Sequence, residues 1–560
     1  MKGNKALFWY GFLGCVIAIL ISCKTADEKS SVSSKAGFQF AVSFPSEVHS
    51  EAITGRAYVI FSRNNEREPR FQVSYTGVPF FGKNISALKP DKQVVLDHET
   101  FGYPIQSLSD IPAGEYYVQG FINIYTEFKR ADGHSVWLHN DQWEGQQWNR
   151  SPGNLYSDVK KVKFDPSKKD TRTLICSNII PPVEIPQDTQ WVKRIKFRSK
   201  LLTEFWGQPV YLGATILLPK GYDERPDLYY PVNYIQGHFS LRAPNGFTTE
   251  KPQIENRWSM RGYEFYKFWI SEECPRMICV TFQHPCPYYD DSYAVNSANC
   301  GPYGDAIIQE LIPFVEEHFR IIREPYARVL SGGSTGGWEA LALQIFHPDF
   351  FGGTWSLCPD SVDFRYHQVV NIYEEPNAYY KEYDWMKVER PSCRMTDGNI
   401  RFTMKDENYY ELAIGDKSRS GGQWDIWEAA YGPVGEDGYP ERLWDKVTGE
   451  IDHSVAEHWR ENYDLRHYLE KNWSWIGPKL EGKLHIYTGS MDSFYLNGAV
   501  VLLEEYLEKT QNPYYAGVVK YGEREPHCWG PRGAELLELM ADHIVKNAPS
   551  GENTDLWLYK

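Results

Sequence analysis

The chain has 560 residues, 42% of them hydrophobic and 15% aromatic, which is more than one ordinary domain holds and enough to core several. Its formal net charge of −15, with no lysine-rich arm, argues against a nucleic-acid partner. No GxxxxGK(S/T), no GxGxxG after a strand and no CxxC or HExxH is present, so nucleotide and zinc chemistry lack support and no cofactor is expected.

The first 22 residues read as an export signal. Lys2 and Lys5 precede an apolar run over 6–21, which ends Leu20-Ile21-Ser22-Cys23. This ending resembles a bacterial lipobox. The resemblance implies that Cys23 is lipidated, that the polar stretch 23–36 is a tether, and that the protein is anchored by lipid in the cell envelope. Lys24 after that cysteine resembles the outer-membrane sorting pattern. An uncleaved anchor is the alternative, because the apolar run approaches the shortest spanning length.

Over residues 37–182 the pattern is all β. FQFAVSF, RAYVIFSR, RFQVSY and YYVQGFINIY alternate apolar and polar residues between turns, which predicts an antiparallel, immunoglobulin-like sandwich buried on one face. The aromatic loop from Trp137 to Trp148 suits packing on a neighbouring domain better than ligand binding. Residues 183–193, with Pro186 after the pair Pro181-Pro182, read as a stiff linker.

From 194 to 550 short apolar runs alternate with helical patterns. Strands are expected at 210–218, 230–236, 278–282, 327–330, 353–357, 483–488 and 516–521, with helices at 306–319 and 339–346 among them. That alternation predicts an α/β domain with a mostly parallel sheet covered on both faces. The fourth strand runs into Gly332-Gly333-Ser334-Thr335-Gly336 and then a helix, which is the strand–turn–helix context a G-x-S-x-G elbow requires. Ser334 is the expected nucleophile, and the free amide of Thr335 at the helix start is an expected oxyanion donor.

A serine nucleophile needs a base and an orienting acid, which in doubly wound hydrolases follow in the order Ser, Asp or Glu, His. Asp492 lies just past the strand 483–488, and Asp360 occupies another rim position after 353–357. His527, in a loop between Pro526 and Gly530, is the expected base. The later His543 falls on a C-terminal helix over 534–545. The connection 361–476 far exceeds a usual loop and reads as a cap on the active-site rim. Its tryptophans either stack on sugar or phenolic rings or core the cap. Trp338, Trp424, Trp427 and Trp529 are the candidates for the substrate pocket. His453, His458 and His467 are spaced along an apparent helix and give no metal site. Among the cysteines only Cys286 and Cys300 suggest a pairing, and Cys528 reads as buried filler.

Together, YYPVNYIQGH, the segment from Asp290 to Ile322, the elbow, GSMD and REPHCW resemble the esterase family of α/β-hydrolases. That family groups esterase D, enterochelin esterase, feruloyl and acetyl-xylan esterases and the mycolyltransferases. The resemblance runs from about 194 to 545, interrupted by the cap insertion, and implies a backbone oxyanion donor at the Gly237-His238-Phe239 turn, from His238 or Phe239. The expectation is an exported serine esterase acting through Ser334, His527 and Asp492, with acyl or feruloyl groups on glycans or a siderophore ester as candidate substrates. A serine peptidase of the same fold and a non-catalytic ligand-binding relative are the rivals.

Overall fold

Two sheets face each other over Phe40, Val42, Phe61, Phe81, Val118 and Phe164 at the N-terminal end of the protein. The smaller sheet centres on the strand Gln39–Ser43, and the larger on Gly114–Lys129 and Ile53–Ser62. This is a computed structural model that describes residues 37–254, 256 and 259–558; the signal, Cys23 and the tether lie outside the described residues. The larger sheet departs from the one-face pattern expected of it. Strand Ile53–Ser62 is buried along nearly its whole length. Val59 and Phe61 face the sandwich core, while Tyr58 and Ile60 join a second core that continues into the α/β domain.

That second face is covered because the domains dock along it. Residues from Gly37 onward form one compact unit. Arg56 donates to the carbonyls of Leu412 and Ala413 at 3.2 and 3.1 Å, and Tyr58 Oη donates to Ile414 O at 2.5 Å. The aromatic loop packs on its neighbours: Trp143 lies edge-on to Phe239 at 5.1 Å, and Trp148 stacks on Tyr58 at 4.6 Å. The proline-rich stretch has no regular structure, yet the two domains it joins share a core.

The α/β domain is built on eight strands: β1 Val192–Ser199, β2 Val210–Leu217, β3 Val232–Gln236, β4 Ile278–Gln283, β5 Arg328–Gly333, β6 Gly353–Leu357, β7 Leu484–Gly489 and β8 Val518–Gly522. Their order across the sheet is β1-β2-β4-β3-β5-β6-β7-β8. The β1–β2 and β2–β4 pairs are antiparallel and all others parallel. This is the α/β-hydrolase arrangement. β1 had no strand signal in the sequence because it is an edge strand rich in Lys and Arg, charges that protect an open edge from stray pairing. β5 and β6 are apolar and buried on both faces, as central parallel strands require. They deliver their C-terminal ends to the rim where such folds carry their sites.

Between β6 and β7 the chain forms two hairpins and four α-helices. The last helix, Leu465–Leu480, packs on the elbow helix Thr335–Phe346, with Tyr468 edge-on to Phe346 at 4.9 Å. It therefore belongs to the layer covering the sheet, and the insertion proper ends near Asp464 rather than at 476. The cap core holds a fully buried charge group. Lys446 Nζ lies 3.1 Å from Asp425 and 3.8 Å from both Glu411 and Glu428.

Candidate active site

The elbow is enforced by backbone proximity. A Cβ on Gly332 would stand 2.0 Å from Gly336 O, and one on Gly336 would stand 2.2 Å from Gln236 O. No side chain fits in either place. Ser334 between them has φ 59° and ψ −125°, a conformation that costs an ordinary residue about 1–3 kcal/mol. Its N–H donates to Leu357 O at 2.9 Å, and its carbonyl accepts from Gly337 and Trp338. The strain is thus held by bonds to β6 and to the helix that follows.

Ser334, His527 and Asp492, far apart in sequence, lie in one hydrogen-bonded line. His527 Nε2 is 2.9 Å from Ser334 Oγ, and its Nδ1 is 2.7 Å from Asp492 Oδ2. Asp492 is fully buried, and its Oδ1 accepts from the amides of Phe494 and Leu496 at 2.9 and 3.2 Å. These bonds fix the carboxylate toward the ring. Burial opposes a charge on His527, but its hydrogen bonds and proximity to Asp492 and Cys528 prevail and raise it to about 10. Asp360, the other rim carboxylate, does not bond His527. It accepts from Tyr293 Oη at 2.5 Å, Thr335 Oγ1 at 3.2 Å and Ser334 Oγ at 3.4 Å. Burial raises it above the usual carboxylate range, against the pull of the Tyr293 bond.

The turn expected to supply a second oxyanion donor abuts the elbow, since Gly237 Cα is 2.8 Å from the position of a Cβ on Gly336. Among the described residues, neither the Thr335 nor the His238 amide donates to a protein acceptor. The His238 side chain lines the pocket over Ser334, whereas the Phe239 ring is turned onto Trp143. Although burial works against its charge, Asp290 and Asp291 at 3.1 and 3.4 Å hold His238 well above the usual imidazole range.

Residues 212–402 match the family model described as "Putative esterase". That stretch of the chain is similar to esterases. The match takes in the elbow and stops before Asp492 and His527. Among solved structures, the S-formylglutathione hydrolase of Agrobacterium tumefaciens is similar at 14% identity and a TM-score of 0.36, over 65% of this chain and 97% of that one. A ferulic acid esterase is similar at 14% identity and 0.34, over 60% and 92%. The CE1 ferulic acid esterase of Anaeromyces mucronatus in complex with ferulic acid is similar at 15% identity and 0.28, over 63% and 92%. No curated protein matches the chain.

Ser334 and His527 line a cavity of about 520 Å³. Its walls come from three parts of the chain: Tyr75 from the N-terminal domain, His238 and Tyr289 from the α/β domain, and Glu407, Gln423 and Trp427 from the cap. Tyr289 Oη donates to Gln423 Oε1 at 2.8 Å, and Gln423 Nε2 reaches both Tyr293 and Asp360. Sequence reasoning missed Tyr75, Tyr293, Glu407 and Gln423. Only Tyr293 lay in a segment that carried a family signal. A second cavity, of about 960 Å³, lies on the other side of the elbow between Phe265, Phe268, Leu357 and Leu536. Gly333 and Cys528 line both cavities.

Of the four tryptophans expected around the substrate, Trp427 alone lines the pocket. Trp338 is fully buried against Tyr293 and Tyr431, because the elbow helix is covered on that side by the cap. Trp424 is core: its Nε1 donates to Glu407 at 3.0 Å and its ring meets Trp427 and Trp444. Trp529 lies under Gly522, where a Cβ would come within 2.5 Å of its ring. The suggested Cys286–Cys300 pair is in contact at 4.0 Å without a bond. Cys528 is no mere filler, since its Sγ lies 2.7 Å from that of Cys358.

Proposed function

We propose that this protein is an envelope-anchored serine esterase in which Ser334 is the nucleophile, His527 the base and Asp492 the residue that orients it. The observation carrying this reading is the unbroken line from Ser334 Oγ through His527 to a fully buried Asp492. Oγ attacks the ester carbonyl as Nε2 takes its proton. Nδ1–H stays bonded to Asp492, which favours the imidazolium that forms. The free amide of Thr335, joined by an amide of His238 or Phe239, receives the oxyanion, each donor supplying about 3–4 kcal/mol of transition-state stabilisation. The imidazolium then protonates the leaving alkoxide, and a water repeats the sequence to release the acid.

Substrate preference follows from the pocket lining. Aromatic Tyr75, Tyr289 and Trp427 stand beside the polar Gln423 and Glu407, which suits an ester with a bulky, oxygen-bearing group such as an acylated or feruloylated glycan. Export and lipidation at Cys23 rest on the leader sequence alone.

Ser334→Ala should lower kcat on p-nitrophenyl acetate by about 10⁴-fold or more while the protein stays folded. Near-normal turnover by that variant would remove the serine mechanism. Trp427→Ala should weaken methyl ferulate hydrolysis more than that of p-nitrophenyl acetate. Equal losses on both would remove the platform role. Cys23→Ser should abolish lipid labelling, and unchanged membrane association would favour an uncleaved anchor.

A further inference from the structure

The cysteine that follows His527 meets a second cysteine at the end of β6. Their sulfurs are 2.7 Å apart, closer than the roughly 3.5–4.0 Å contact of two carbon atoms although sulfur is the larger atom. Cys286 and Cys300, both buried, keep 4.0 Å between theirs. The close pair joins segments 170 residues apart. Both cysteines have left-handed backbones, φ 41° at Cys358 and 60° at Cys528, held by neighbouring bonds such as Cys358 N–H to Tyr487 O at 2.5 Å. The pair lies under the elbow, because a Cβ on Gly333 would sit 3.2 Å from Cys528 Sγ. It is also reachable, since Cys528 is half-buried and lines both cavities.

We propose that Cys358 and Cys528 are a redox cross-link site, in which oxidation joins them in a disulfide that pins the His527 loop to the end of β6 and reduction releases it. The step needs an external disulfide. One cysteine thiolate attacks it and forms a mixed disulfide, the second displaces the bound sulfur, and the oxidant leaves as two thiols carrying the two electrons and two protons. No further atom is gained or lost.

The cross-link acts on chemistry through position and charge. The groups facing His527 are Ser334, Asp492, Cys528 and Cys358, with Asp360 farther off and the Phe494 ring edge-on at 5.1 Å. In the dithiol form the hydrogen bond from Cys358 lowers Cys528 to about 5, against burial and with help from His527. That thiolate, after Asp492, helps hold His527 in its charged form. A base must be neutral to act, so the dithiol enzyme loses activity as pH falls through a raised His527 value. A disulfide carries no charge and removes the Cys528 contribution, which moves the same loss to lower pH. Cys358 and Cys528 are therefore positioning residues for the base.

The test uses the full chain, treated either with oxidised glutathione or with a phosphine reductant, alkylated and mapped by mass spectrometry. The expected result in the oxidised sample is a linked peptide holding Cys358 and Cys528, lighter by two hydrogens, with Cys286 and Cys300 alkylated. Alkylation of both Cys358 and Cys528 after oxidation would overturn the proposal. So would zinc retained stoichiometrically by the wild type and lost in Cys528→Ala, because Cys358, His527 and Cys528 are close enough to clasp an ion instead. The second readout is the pH profile of kcat/KM on p-nitrophenyl acetate, which rests on the serine mechanism above, whereas the peptide map does not. Its midpoint should lie at lower pH in the oxidised enzyme than in the reduced one, and should not respond to oxidant in Cys358→Ala/Cys528→Ala. Identical profiles in linked and reduced wild type would overturn the positioning role.

Discussion

The floor and the roof of the pocket are built on different principles. The floor, comprising Ser334, His527, Asp492 and the turn at His238, hangs on short loops at the C-terminal ends of parallel strands. Two of these loops are fixed by local constraints: glycines that no Cβ can replace at the elbow, and two amides that clamp Asp492. The roof comes from distant chain segments. Tyr75 belongs to the N-terminal domain and stacks on Phe402 of the cap at 5.0 Å, while Trp427 sits on a cap helix beside Trp424. In the proposed function the floor sets the reaction and the roof sets which ester reaches it.

That division predicts that substitutions separate the two functions, with the largest effect at the floor. Asp492→Asn should lower kcat by about 10⁴-fold with little loss of fold, because the amide leaves His527 in the wrong tautomer. His543→Ala, at a helix where the ring meets Gly352 O at 2.9 Å, should leave kcat unchanged. Damage from His543 equal to that from His527 would break the floor as drawn.

Next in size is the cap core. Removing Lys446 leaves Asp425, Glu411 and Glu428 buried without their cation, so Lys446→Ala should destabilise the protein by about 3–5 kcal/mol in denaturant titration. The smallest effect concerns the docking of the domains. Arg56→Ala removes charged donors from two cap carbonyls and should cost about 1.5–3 kcal/mol. Both changes should reduce stability before they reduce turnover of small esters. A collapse of p-nitrophenyl acetate hydrolysis at full stability would show that roof and floor are not separable.

The same contrast explains what could be read from the sequence. Six of the eight sheet strands match expected runs within about two residues, and β5 begins and ends a little later, because buried parallel strands are continuous apolar segments. The elbow was legible from its glycines, and Asp492 and His527 from their places after β7 and β8. The roof was not. Tyr75 sits in a turn of a β domain whose outer face reads as solvent-exposed, and its burial depends on cap residues more than 300 positions away. Trp338 and Trp424 misled for a related reason. A tryptophan near a catalytic motif looks the same whether it faces a ligand or the inside of a cap, and here the cap encloses both. Cys286 and Cys300 lie 14 positions apart, whereas the cysteines that meet most closely are brought together by the sheet order β6-β7-β8.

The claim that this is a serine esterase with its base supplied by His527 is tested most directly by reaction with an alkyl fluorophosphonate, followed by peptide mapping of the adduct. The account predicts one phosphonyl group on Ser334, none on the Ser334→Ala variant, and labelling of the His527→Ala variant slowed by orders of magnitude. An adduct on any other residue, or unimpeded labelling without His527, would contradict it.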